Sequence, residues 1–291
     1  MNAARMKIIA AMAIFGTIGV FRRYIPLDSS LIALVRGVVG TLCLLAAVLL
    51  GRRGLSWSAI RPKLPLLVIS GAAMGFNWIL LFEAYNHTTV ATATLCYYMA
   101  PIIVILLSPL ILRQHLTRRK ILCVIAALLG MVRVSGVLES GGVCGMTGVL
   151  LGLSAAALYA SVVLMNQFLG GVPAMDKTIL QLFSAAATMA PYVLRTVDFA
   201  AQPVDGLAIG MLLVVGVVHT GVAYWLYFGA MGKVPAQTAA LLSYLDPVVA
   251  ILLSALVLGE RMTLLTGLGA LLVLGATMVS EMRGREKTGR G

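Results

Sequence analysis

From Ala236 to Leu258 the chain reads AQTAALLSYLDPVVAILLSALVL, and from Val90 to Leu112 it reads VATATLCYYMAPIIVILLSPLIL. Either run is long enough to cross a bilayer as a helix, which takes about 20 apolar residues. Laid on one another, Thr92 meets Thr238, Leu95 meets Leu241, Tyr98 meets Tyr244 and Pro101 meets Pro247. Ile105-Leu106-Leu107-Ser108 then meets Ile251-Leu252-Leu253-Ser254, at an offset of 146 throughout. The chain therefore reads as a tandem repeat, and its halves differ at the centre, where Asp246 stands in place of Ala100.

The composition agrees with a chain that lives in lipid. Of 291 residues, 60% are hydrophobic and 11% charged, whereas a soluble domain carries about 25% charged residues. Mean hydropathy is +1.01. A net charge of +12 would suggest nucleic acid in a soluble protein. Here the basic residues gather at the ends of apolar runs, where they set orientation, and no nucleic-acid partner is expected. Cys43, Cys96, Cys123 and Cys144 stand singly, with no CxxC or Cys/His spacing for a metal or disulfide framework. Arg5 and Lys7 precede an apolar run that ends in Arg22-Arg23 without an AxA-like cleavage site, so this segment is expected to be an uncleaved first span.

Ten apolar segments can be counted, at about 7–25, 30–50, 64–86, 90–112, 119–138, 145–168, 175–195, 206–230, 235–258 and 263–282. The connections are short and marked by Gly, Pro or charge, as at Pro26-Leu27-Asp28, Gly141-Gly142 and Gly170-Gly171-Val172-Pro173. None has room for a soluble domain. The expected fold is all-α, a membrane bundle of ten helices built from two five-helix repeats, the first over 1–138 and the second over 143–283. A basic tail, 284–291, follows. Lys63, Arg118, Arg119 and Lys120 fall on one side and His87 and Val137 on the other. The Lys/Arg bias puts both termini in the cytoplasm of a bacterial inner membrane. Because five is odd, the second repeat enters from the opposite side. Inverted repeats of this kind build many secondary transporters, with the solute bound near the midplane.

Ionisable groups inside spans are the first candidates for chemistry. Asp246 lies about 10 residues into its run, near the bilayer centre at 1.5 Å per residue. A charge there normally faces a cavity or a partner; the alternative is a protonated acid bonded to a neighbouring helix. Pro101 and Pro247 are expected hinges, since proline breaks the ladder behind it. His219 can be neutral in the membrane and still exchange a proton, or be a buried histidine held by a carbonyl. Glu83 and His87 share a face near an outer helix end, and an Arg36–Glu83 pair is plausible there, in a pathway or as a bridge. Tyr98 and Tyr244 lie too deep for interfacial anchors and could flank a flat solute or fill core space. Trp78 and Trp225 belong to the same aromatic set. Gly148, Gly152, Ala156 and Ala160 recur every four residues, a close-packing stripe. There is no Walker loop, GxSxG or HExxH, so neither ATP drive nor hydrolysis is suggested, and no cofactor is expected.

With the repeat, the span count and the ending YLDPVVAILLSALVLGE (Tyr244–Glu260), the chain resembles the drug/metabolite transporter superfamily in its ten-helix EamA-type branch. Arg36 matches an arginine common in that branch. Phe15 stands where the branch often has tryptophan, and Arg113-Gln114-His115 replaces the Gly-Glu that often closes the fourth helix. The resemblance implies a bundle around a central cavity that exports or exchanges small metabolites, amino acids among them. The expected function is secondary transport of such a solute, most simply as an exporter, not catalysis. Uptake or exchange of an anionic metabolite, with Arg36 and His219 as counter-charges, is the alternative. A membrane-embedded enzyme would need its acid and base at one membrane face. The lipid bilayer and a small solute are the expected partners; coupling to protons, and monomer against homodimer, are left open.

Overall fold

Apolar runs punctuated by glycine, proline and capping residues wind into helices here, and every regular element among the described residues is helical. The structure, a computed structural model, describes residues 3–52, 54–113, 117–134, 145–203, 205–230, 233–234, 242–260 and 262–281. Several features read from the sequence lie outside these, among them Thr238, Leu241, Gln114, His115, Val137, Gly141-Gly142, Cys144 and the 284–291 tail.

In chain order the helices are α1 (Ala3–Arg23), α2 (Ser29–Leu50), the short α3 (Trp57–Ile60), α4 (Leu64–His87), α5 (Val90–Tyr97), α6 (Ala100–Ile111) and α7 (Arg118–Val134). Then come α8 (Met146–Phe168), α9 (Ala174–Thr196), α10 (Gly206–Gly216), a π turn (Val217–Val222), α11 (Ala223–Ala230), α12 (Leu245–Leu256) and α13 (Leu264–Glu281). Side-chain caps mark several starts. Asp28 accepts from the Ser30 N–H at 2.8 Å, Thr89 from Thr92 at 3.0 Å and Asp205 from Ala208 at 2.6 Å, each satisfying a donor the helix cannot.

Six helical stretches are long and apolar enough to cross a membrane: Ala3–Arg23, Ser29–Leu50, Trp57–His87, Val90–Ile111, Met146–Phe168 and Gly206–Ala230. The remaining four of the expected ten are shorter or more polar. Helix α7 has 17 residues and opens on Arg118, Arg119 and Lys120, and α9 is diluted by Asp176, Lys177, Gln181 and Arg195. The last two contribute the apolar stretches Leu245–Leu256 and Gly267–Val279.

The two runs that open the reading are not single continuous helices. Between α5 and α6 the chain tightens, with Met99 N donating to the Cys96 carbonyl at 3.1 Å. Pro101 then falls in the first turn of α6, where an N–H would have no partner anyway. The matching turn falls at Tyr244, and α12 begins at Leu245. Proline has no proton for the carbonyl four residues back and crowds it, so each ladder is interrupted just ahead of its proline. Asp246 therefore stands in the first turn of α12 and not in the middle of one unbroken helix.

Helix α4 packs on α8 and α9, α2 on α9 and on the π turn, and α1 on α11 and α12. Helices α5 and α6 pack on α8, α5 also on α12, and α7 on α13. The small-residue stripe of α8 makes one of these contacts close. A Cβ at Gly152 would stand 2.8 Å from Cys96 Cβ, and Ala156 and Ala160 are fully buried. At the end of the bundle that carries Arg23, one carboxylate ties three helices together. Glu260 accepts from Arg23 Nη2 at 2.9 Å, from the Val90 N–H at 2.9 Å, and from Ser254 Oγ.

Candidate functional site

The carboxylate of Asp246 sits where a helix start favours negative charge, since the first N–H groups of α12 have no partners in their own helix. Helix α1 lies directly against this turn. A Cβ at Gly16 would stand 2.6 Å from the Asp246 carbonyl oxygen and 2.7 Å from Val249 Cβ, so only glycine admits the contact. From the break in the other half, Tyr98 donates its hydroxyl proton to Asp246 Oδ2 at 2.7 Å. Pro101 and Pro247 thus set two interrupted helices against each other, and the tyrosine of one meets the acid of the other.

Arg36 enters the same interior from α2 and is 5% exposed. Its guanidinium carbon lies 4.1 Å above the Trp78 ring and 5.8 Å from the Phe82 ring, and its Nε donates to Thr220 Oγ1 at 2.9 Å. Aromatic rings gather in the same interior. Tyr97 stands 5.2 Å from Tyr159 and 6.3 Å from Tyr98, and Phe15 stands 5.2 Å from Tyr224, centroid to centroid. The Tyr97 hydroxyl reaches Asn77 Oδ1 at 3.4 Å, and Asn77 Nδ2 donates to the Ala155 carbonyl. Tyr159, on the helix that packs against α4, α5 and α6, is 39% exposed.

Of the other residues read from the sequence, His219 is buried beside this cluster. Its Nε2 lies 2.8 Å from Thr17 Oγ1, its Nδ1 3.4 Å from the Val214 carbonyl, and the Phe21 ring packs on it edge-on at 4.9 Å. Tyr244 occupies the second helix break, partly buried. Glu83 does not pair with Arg36. It accepts from Ser29 Oγ at 2.7 Å and Asn86 Nδ2 at 3.0 Å and meets His87 Nε2 at 3.0 Å, while Arg22 joins the group through Ser29 and Asn86. The reason is helical geometry: Trp78 and Phe82 are four apart and both face Arg36, and the next residue points about 100° away. Trp225 follows Tyr224 by one residue and is turned from it by the same rotation. Tyr224 faces the interior, and Trp225 is 46% exposed with the Lys7 ammonium 5.4 Å above its ring. An apolar groove of about 530 Å³ between α7 and α13, bordered by Arg119, Leu122, Leu271 and Val279, shares none of these residues.

Thr220, Asn77 and Thr17 escaped the sequence reading because single hydroxyl and amide groups in apolar helices carry no spacing signal. Only their placement against Arg36, Tyr97 and His219 distinguishes them.

A multi-pass helical bundle with opposed charges in an aromatic interior defines a membrane transporter by class. The EamA-like transporter family matches residues 4–136 and again residues 146–282. The chain belongs to that family. It is 28% identical to "Uncharacterized transporter YxxF" of Bacillus subtilis (strain 168), over 98% of this chain and 92% of the relative. It is 24% identical to a "Probable amino-acid metabolite efflux pump" of Salmonella typhimurium (strain LT2), over 76% and 78% of the two chains. A solved crystal structure with 19% sequence identity superposes with a TM-score of 0.66 over 95% of both chains, and shares the fold.

Proposed function

We propose that this transporter exports a small amphipathic solute bearing both an amino group and a carboxylate, an amino acid, by alternating access without ATP. One observation carries the reading: an acid, Asp246, held by the Tyr98 hydroxyl, and a buried arginine, Arg36, over Trp78, both belong to one tyrosine-rich interior. An ammonium would meet Asp246 beside Tyr98, a carboxylate would meet Arg36 beside Trp78, and the rings would contact the apolar part of the solute. The efflux-pump relative points to the same solute class.

The architecture proposed for this cycle is two inverted repeats, 1–138 and 143–283, with both termini and the 284–291 tail in the cytoplasm of a bacterial inner membrane. The packing supports it. Shifting by 146 residues carries α1 onto α8, α2 onto α9, α4 onto α10–α11, α6 onto α12 and α7 onto α13. The contact of α1 with α12 then becomes that of α8 with α6, and α4 with α8 becomes α11 with α1. The pairs α2 with α9 and α7 with α13 map onto themselves. Five helices per unit invert the second copy.

Uptake or exchange of an anionic metabolite is the second reading, favoured by the terminal nitrogens of Arg36, which have no acceptor among the described residues. Proteoliposomes offered labelled amino acids, dicarboxylates and sugar phosphates, with and without an imposed pH gradient, separate the two. Accumulation of an amino acid, competed by its own unlabelled form and not by the anions, is the expected result. Transport of anions alone would replace this reading with the second. A response to the gradient would identify protons as the coupling ion.

A further inference from the structure

The π turn at Val217–Val222 interrupts a spanning helix and has no part in the reading above. Single wide turns of this kind gather at functional sites because they displace side chains from the helical register. Here two consecutive side chains reach carbonyls five residues back: Thr220 Oγ1 to Val215 at 3.3 Å and His219 Nδ1 to Val214 at 3.4 Å. A carbonyl only accepts, so the Thr220 hydroxyl proton is committed to Val215. The oxygen lone pair is then left for Arg36 Nε, which donates to it at 2.9 Å.

The turn is held against α2 by missing side chains. A Cβ at Gly216 would stand 2.7 Å from Val39 Cβ, and one at Gly221 would stand 2.6 Å from Cys43 Cβ. On the α2 side, Gly40 makes room for Thr220 itself, whose own Cβ would lie 3.0 Å from an added Cβ. Thr220 is fully buried, so its hydroxyl has no solvent to turn to. Arg36 is consequently fixed in two directions, its plane by Trp78 beneath it and its rotation in that plane by Thr220 at Nε. Arginine offers five N–H donors, and only the one on Nε is engaged among the described residues. The other four form the edge that suits a bidentate carboxylate.

We propose that Thr220 is a positioning residue for Arg36, and that the π turn, by aiming its hydroxyl at Nε, makes the site select solutes that carry a carboxylate. This rests on the amino-acid reading above for the solute, but not for the positioning. Two readouts keep them apart. In a Trp57→Phe/Trp225→Phe background Trp78 is the sole tryptophan, and its emission reports the stacked guanidinium without any solute. In proteoliposomes, labelled L-leucine and L-phenylalanine are compared with their decarboxylated amines, isoamylamine and phenethylamine.

Thr220→Val keeps the volume and removes the hydroxyl. It is expected to shift Trp78 emission towards that of Arg36→Ala and to lower the preference for amino acid over amine by about tenfold, a hydrogen bond to a charged group being at stake. Thr220→Ser is expected to restore both. A monodisperse Thr220→Val protein with native Trp78 emission and native preference would overturn the proposal. An altered emission with no amino acid moved by the unsubstituted protein would leave the positioning standing, and would overturn the carboxylate selectivity together with the solute reading.

Discussion

Tyr98 and Asp246 make the contact on which single-atom changes report most directly. Tyr98→Phe deletes only the hydroxyl that donates to Oδ2, and a hydrogen bond to a charged group contributes about 1.5–3 kcal/mol. The expected result is a folded protein whose apparent affinity for an amino acid falls by roughly tenfold or more. Asp246→Asn keeps the shape and removes the titration. If the acid carries a proton, pH-driven accumulation should vanish while solute-for-solute exchange survives. If it holds the ammonium, binding should fail at every pH. Normal affinity and normal pH-driven flux in a folded Asp246→Asn protein would make it a structural residue. At this scale the sequence was informative for isolated charges, because an acid or an arginine in an apolar run stands out. It was uninformative for their partners. Arg36 and Glu83 looked like a pair from their places on adjacent spans, yet one residue of helical rotation past Phe82 turns Glu83 towards Ser29, Asn86 and His87 instead.

Helix ends show the same split between what a pattern carries and what only packing decides. The two prolines announced irregularity, and helix breaks do occur just before them. That both breaks are complete enough to leave Asp246 in a first turn follows from the tight turns at Met99 and Tyr244, which no spacing encodes. The closing Gly-Glu of α12 was visible as a family ending, but its work was not. Glu260 joins Arg23 at the end of α1, the first N–H of α5 at Val90, and Ser254 of α12. Its counterpart in the first repeat, by the 146-residue offset, is Gln114, so the sequence puts the acid at this position in one half only. Breaking the Glu260 tie should loosen this end of the bundle selectively. With the native cysteines replaced, Val90→Cys is a buried probe and should react slowly with an impermeant thiol reagent. Adding Glu260→Gln is expected to speed the reaction several-fold, by analogy with the loss of other partly buried charge pairs. An unchanged rate would show that apolar contacts such as Gly19 on Val90, not the carboxylate, hold these ends together.

For the whole molecule, the decisive property is the sense in which the two halves cross the membrane. The halves were legible because 146 residues separate matched tyrosines, prolines and an Ile-Leu-Leu-Ser run, and the family matches the chain twice. Inversion is a consequence of an odd number of crossings, so it is sensitive to every segment being counted correctly. Helices α7 and α9 are the weak members, one short and one polar. A test that bypasses the count compares equivalent positions directly. His87 is the last residue of α4, and the 146-residue shift carries it to Lys233, just past α11. Both are exposed. In a parallel repeat these two positions share a side; in an inverted one they lie on opposite sides, a helix length apart, and α4 alone, 24 residues at about 1.5 Å each, is long enough to span the membrane. Cysteines placed singly at 63, 87 and 233 in the cysteine-free protein are therefore expected to divide. Position 87 should label from outside intact cells, while 63 and 233 should label only after the membrane is opened. Labelling of 87 and 233 from the same side would make the repeats parallel and remove the basis for rocking one against the other. Labelling of 63 from outside, with 87 protected, would keep the inversion and turn the whole transporter over, placing the Glu260 tie on the cytoplasmic face.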